Sequence, residues 1–236
     1  LTCEEVPHVQ SKPSSPIRYC LRVAVPVALV SWSTAYACTG TQPIDACTDV
    51  YTTNCYLSED IECDTYEGIA INAGYNLDMC GHDITCTSGF GVCFAYSAIT
   101  MNGASSKVFN SLATGPFADE SKILGFFIGG VDCDLKTGSQ VIGIRIEDAV
   151  SGVIDCAKVQ NNTFFNNNYG VYTGGVANTD TISDNYFQGV SRGVDFHGTE
   201  DIEISHNVFD AAEGIVLSSD GEVDVVSNVL FGASST

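Results

Sequence analysis

Cations are scarce in this chain. Nine Lys plus Arg stand against 29 Asp plus Glu in 236 residues, a formal charge of −20. Phosphate recognition needs clustered Lys and Arg, so nucleic acid is excluded as a partner, and an anionic membrane surface with it. No CxxC pair occurs among the eleven cysteines. That removes zinc-ribbon, dithiol-oxidoreductase and haem-attachment motifs. The histidines, His8, His82, His197 and His206, are scattered without metal-ligand spacing, so neither a metal nor a cofactor is expected. Long apolar runs are missing as well. The stretch around Val23 to Val30 is broken by Pro26 and too short to cross a bilayer, so no membrane insertion is expected.

Cysteine itself is abundant and crowded toward the beginning: only Cys133 and Cys156 lie beyond Cys93. Disulfides in an oxidising compartment are the expectation, and with them an extracellular or cell-surface location. An odd count leaves one cysteine over, either a buried thiol or half of a bridge to another subunit, for which Cys3 and Cys20 are the candidates. Residues 17–38, "IRYCLRVAVPVALVSWSTAYAC", carry Arg18 and Arg22, an apolar run, and Ala35-Tyr36-Ala37 before Cys38. This resembles a secretion leader. The Val-rich run also suits a strand, and it is read here as an inter-subunit arm carrying Val23, Val25, Val27 and Val30.

The second half of the chain repeats itself. Asn162, Asn185, Asn207 and Asn228 form one column, and Phe164, Phe187, Phe209 and Leu230 form another two residues later. Val159, Ile182, Ile204 and Val225 precede each Asn by three. Gly143, Gly170, Gly193 and Gly214 are each followed by Ile or Val. A period of this size is the mark of a solenoid. Apolar residues alternate within each copy, as in Val194-Asp195-Phe196, so the repeating elements are strands. Stacked coils then bury columns of like residues that no single coil could bury. The Asn column is expected at a tight bend, where a left-handed backbone is tolerated and amides bond to one another along the stack.

Upstream, "CYLSEDIECDTYEGIAINAGYNLDMCGHDITC" (55–86) carries Tyr56, Leu57, Gly68, Ile69, Leu77, Asp78, Gly81, His82 and Ile84 in a string frequent in the first coils of parallel β-helix proteins. Together with the repeat, the chain resembles the right-handed parallel β-helix (pectate-lyase-like) superfamily over residues 45–233. The resemblance implies an all-β, right-handed parallel β-helix (β-solenoid) with a disulfide-rich N-terminal segment, and a structural role for His82. Residues 1–44 are an N-terminal arm or cap; residues 45–236 are the helix, with a loop excursion near 102–121.

Chemistry is harder to find. "ANTD" (177–180) resembles one element of polygalacturonase-like hydrolases, but their following paired Asp and Gly-His-Gly are missing, so no catalytic residue is assigned. Counting along the repeat places Arg145, Tyr172 and Asp195 in one outward column and Glu147 and His197 in the next. Such a patch has the carboxylates and the aromatic ring to contact a sugar, which makes surface glycans a candidate partner. Asn161 heads a glycosylation sequon. The last coil runs close to Thr236 with no polar cap after it. Unpaired strand edges there predict head-to-tail association with further copies of the chain into an extracellular fibre.

Overall fold

Strands of three to five residues, rich in Val and Ile and closed by Asn, Asp, Ser and Gly, cannot bury both faces alone. They stack instead. The computed structural model describes residues 38–47, 50–63, 68–72, 74–86, 97–102, 107–110, 121–125, 127–133, 138–174 and 179–232. Among these there are 23 strands and no helix, and the paired strands run parallel.

One sheet is a ladder of nine strands. It climbs from Gln42–Ile44 through Cys55–Leu57, Asn76–Asp78, Lys107–Phe109, Gln140–Ile142, Lys158–Gln160, Thr181–Ser183 and Ile202–Ser205 to Val223–Val226. The other sheet, of 14 strands, supplies the two remaining faces of the coil. These faces fuse near the top, where Tyr186–Phe196 and Val208–Leu217 run continuously around the corner. The chain is therefore a parallel β-solenoid.

Its core is a set of columns. Val108, Val141, Val159, Ile182 and Ile204 stack on one face. Ile84, Ile123, Ile146, Phe164, Phe187 and Phe209 stack on a second. Ile69, Ile99, Val131, Val153, Val171 and Val194 stack on the third. All of these are fully buried. The rings of Phe164, Phe187 and Phe209 lie nearly parallel, with centroids 4.8 and 4.6 Å apart, close to the strand spacing itself. The adjacent glycine column makes room for them. A Cβ on Gly170 would stand 2.4 Å from the Phe187 ring, and one on Gly193 equally close to Phe209.

The amide ladder also forms. Asn162, Asn185 and Asn207 are buried, and each accepts through Oδ1 from the coil below while donating through Nδ2 to a backbone carbonyl. The expectation about its backbone needs correcting. The left-handed residue is the one before each ladder Asn: Asn161, Asp184, His206 and Ser227, with φ of 57, 58, 57 and 56°. The bend and the ladder are adjacent positions with separate tasks.

A second correction concerns the glycines. Gly152, not Gly143, stacks beneath Gly170; Gly143 sits in a turn with φ of 69°. The coil that contains it spans only 18 residues, so a count based on a longer period slips by one strand. Two short segments of the chain also differ from the sequence reading. Gln42–Ile44 already pairs with Cys55–Leu57. Lys107–Phe109, inside the expected excursion 102–121, pairs with strands on both sides.

Disulfides join Cys38 to Cys80, Cys47 to Cys63 and Cys133 to Cys156. They place the folded chain outside the cytoplasm, in an oxidising compartment. Cys55 is a free, buried thiol. Burial pushes its pKa up to about 12, and its Sγ donates to the Asn76 carbonyl, so it behaves as a small core residue. With Cys55 unpaired, the remaining cysteines are even in number and parity no longer asks for a bridge to another subunit. Cys3 and Cys20, like Val23, Val25, Val27 and Val30, lie outside the described residues.

Candidate functional site

Two surfaces stand out: a polar cluster on one side of the solenoid, and the exposed last coil. The cluster is built by register. Tyr169, Arg192 and Glu213 occupy one column. Tyr172 and Asp195 occupy the outward column beside it, with Val216 above. His197 follows two residues after Asp195, its N–H held by the carbonyl and hydroxyl of Thr173.

Asp195 is the centre. Alternation turns it outward, yet its side chain is only 2% exposed because its neighbours cover it. Arg192 donates through Nη1 to Asp195 Oδ2 at 2.9 Å and through Nε to Glu213 at 2.6 Å. These two contacts, Asp195 first, raise the guanidinium pKa above its ordinary value. Arg192 also lies over the Tyr169 ring, 5.9 Å from its centroid. The other carboxylate oxygen of Asp195 makes no hydrogen bond, although His197 Nε2 stands 2.9 Å away. We read this as ion-pair proximity with poor alignment. Rings continue the patch, with Tyr169 5.6 Å from Tyr172 and Tyr172 6.0 Å from His197, both tilted. Asn168, Ser191 and Glu213 line a shallow recess beside Arg192.

Of the five sugar-contact candidates, Tyr172, Asp195 and His197 come together here, and Asp195 is buried rather than presented. Arg145 and Glu147 do not join them. They sit on the strand Arg145–Glu147 of a different face, where Arg145 pairs with Glu147 and covers the Phe165 ring. The cause is the short coil already noted. Tyr169, Arg192 and Glu213 went unremarked in the sequence, although the Gly-Val column places Tyr169 and Arg192 one residue before each Gly. Asn161 is partly exposed at its left-handed bend. His82 pairs with Asp60 at 3.2 Å beside the Cys38–Cys80 bridge, a structural setting.

A family model described as NosD: Periplasmic copper-binding protein (NosD) matches residues 129–235, the part of the chain that holds the amide ladder and the polar cluster. This match and the β-solenoid together fit a member of the right-handed parallel β-helix superfamily. No significant match was found among curated proteins or among solved structures.

The other surface is the β-helix's last described coil. Val225, Val226, Val229, Leu230 and Phe231 are 40–58% exposed, whereas Ile204 and Phe209, which lie below Val225 and Leu230, are fully buried. Asn228 bonds back to Asn207 and to the Ile204 carbonyl, so the ladder reaches this coil intact. Val223–Val226 and Val229–Phe231 form the edges, each paired on one side only among the described residues.

Proposed function

We propose that the protein is a secreted structural β-helix that joins end to end with further copies of itself, the last coil of one against the first coil of the next. The observation that carries this reading is the exposed apolar last coil. Both ends present parallel strands of the same ladders, so a head-to-tail contact continues the stack, and a contact that does not close on itself gives a fibre. Charge sets the conditions. Asp201, Glu203, Glu222 and Asp224 flank the last coil, and Asp45, Glu59, Asp60 and Glu62 are exposed at the first. The ends therefore repel at low ionic strength, and salt or a divalent cation favours their association.

The test is sedimentation and electron microscopy of the purified protein at low and physiological salt. End-on species with an axial repeat are expected at the higher salt. The variant Val225→Lys/Leu230→Lys, with unchanged circular dichroism, is expected to stay monomeric. A wild-type protein that is monomeric under every salt condition sinks the reading.

A second reading rests on a separate observation, the partly exposed Tyr169 and Tyr172 rings beside Arg192, which the buried Asp195 holds in place. Aromatic faces next to a guanidinium suit a sugar ring and its hydroxyls, making this side of the helix an adhesive surface. Glycan-array binding that is lost in Asp195→Ala supports it; an array blank for the wild type rejects it. The copper binding in the NosD family's description is not carried over. Among the described residues no three His, Cys, Asp or Glu side chains are placed to hold a metal ion. The soft ligands Met79, Met101 and Cys55 are buried in the core, so the described residues do not fit a copper centre.

A further inference from the structure

We infer that the recess beside Arg192 takes an uncharged sugar and turns acidic sugars away, and that Glu213 sets this preference. The inference rests on the adhesive reading of the tyrosine face given above and names the class of glycan that face accepts.

Arg192 is the only Lys or Arg on the strands of the third face among the described residues. Its Nε donates to Glu213 Oε2 at 2.6 Å and its Nη1 to Asp195 Oδ2 at 2.9 Å. A guanidinium grips a carboxylate through two neighbouring nitrogens, Nε with Nη2 or Nη1 with Nη2. Each of these edges already contains an engaged nitrogen. A uronate arriving from solvent therefore finds no complete fork, and it meets carboxylates instead. The Glu213 side chain is 33% exposed at the rim. Asp155 flanks Tyr172 on its far side: its Oδ1 accepts the Gly174 N–H at 2.7 Å, and a Cβ on Gly174 would lie 3.4 Å from the Tyr172 ring and 3.6 Å from the Asp155 carboxylate. When His197 carries a charge, that charge faces Asp195 across 2.9 Å. The face is thus negative on balance, and like charges set side by side weaken binding.

The groups that the recess does offer are neutral. Asn168 and Ser191 are exposed and line it together with Tyr169, Arg192 and Glu213. Neither the Asn168 amide nor the Ser191 hydroxyl has a hydrogen-bond partner among the described residues. Their backbones are fixed, since the Arg192 N–H donates to the Asn168 carbonyl and the Ser191 N–H to the Asn167 carbonyl. An amide, a hydroxyl and the remaining guanidinium donors can exchange hydrogen bonds with sugar hydroxyls, while the tyrosine rings cover an apolar sugar face. An ammonium is served no better than a carboxylate, because Asp195 is covered and Glu213 is bonded to Arg192. The recess measures about 330 Å³, at the lower end of ordinary ligand sites, which suits a short stretch of glycan.

The experiment prints three sets of oligosaccharides on one array: neutral (cellohexaose, mannohexaose and xylohexaose), acidic (hexagalacturonate and a mannuronate hexamer) and cationic (a chitosan hexamer). The wild-type protein is expected to prefer a neutral member over the acidic and cationic sets by about tenfold or more in affinity. Glu213→Gln is expected to narrow the neutral-over-acidic ratio, and Tyr169→Ala to abolish the neutral signal, both with unchanged circular dichroism. The wild-type preference decides the charge class even where a variant fails to fold. Preferred binding of an acidic or cationic set overturns the inference and leaves the adhesive reading standing. A ratio unchanged in folded Glu213→Gln, or a neutral signal that survives Tyr169→Ala, overturns the assignment to this recess. A wild type blank on all three sets overturns the adhesive reading and the inference with it.

Discussion

The first and last coils of this solenoid are built from the same kinds of residue and finished differently. The first described coil is cross-linked. Two disulfides, Cys38–Cys80 and Cys47–Cys63, tie it to neighbouring rungs, and its edge strand carries Pro43. Gln42 donates to the Asn54 carbonyl, and the Ile44 carbonyl accepts from Ser58, so both turn inward to the next rung. Pro43, between them, turns its backbone outward, where it has no N–H to offer. The last coil has no disulfide and no proline among its described residues, and its apolar side chains stand in water. The two ends thus differ in how they are finished: covalent bridges brace the first, and apolar side chains stand exposed at the last.

The largest expected effect breaks the comparison in the middle, where both neighbours exist. Phe187→Ala removes a ring stacked on both sides and leaves a cavity, a loss of about 3–5 kcal/mol in chemical denaturation. Leu230→Ala, in the equivalent column at the open end, is expected to cost well under half of that in the monomer. Equal costs at the two positions would show that the last coil is covered.

Next comes the bridge at the first coil. Replacing Cys47 and Cys63 by Ser opens a loop of 16 residues, with an expected loss of about 3 kcal/mol, read as a lowered unfolding midpoint. Asn185→Ala ranks third. It orphans the Asn162 N–H and the Val159 carbonyl, both buried, for about 1–3 kcal/mol. Asn228→Ala, at the open end where water can substitute, is expected to cost less.

Pro43→Val restores a donor to the edge strand of the first coil and is expected to increase end-on association in sedimentation without changing monomer stability. The smallest effect is electrostatic. Asp60 has a pKa held below the usual carboxylate value, first by the Asp83 N–H and then by His82. A depressed folded-state pKa contributes stability that is present above the unfolded value, about 4, and is lost as pH falls through the folded one. Asp60→Asn is expected to flatten the acid limb of the stability profile slightly, measured between pH 6 and pH 3.

How legible was all this beforehand? The Asn, Phe and Val columns could be counted because each coil from Val159 onward has nearly the same length. Where the coil shortens, at Gly143, counting failed and carried Arg145 and Glu147 onto the wrong face. Asn167 was missed for a related reason. It serves as a second buried rung, bonding to the Ala149 N–H and the Ile146 carbonyl, but "NNNYG" offers three consecutive asparagines and nothing local selects one. The burial of Asp195 was equally hidden, since alternation gives only the direction of a side chain and not what folds over it.

By itself the sequence determined that like residues would stack on like, since a two-residue alternation repeated at near-constant spacing has one economical way to hide its apolar side from water. Only the tertiary structure decided which coil runs short, which aspartate is enclosed and which cysteine stays free. Those outcomes depend on neighbours brought together from different turns, whose distances along the chain carry no trace of their meeting.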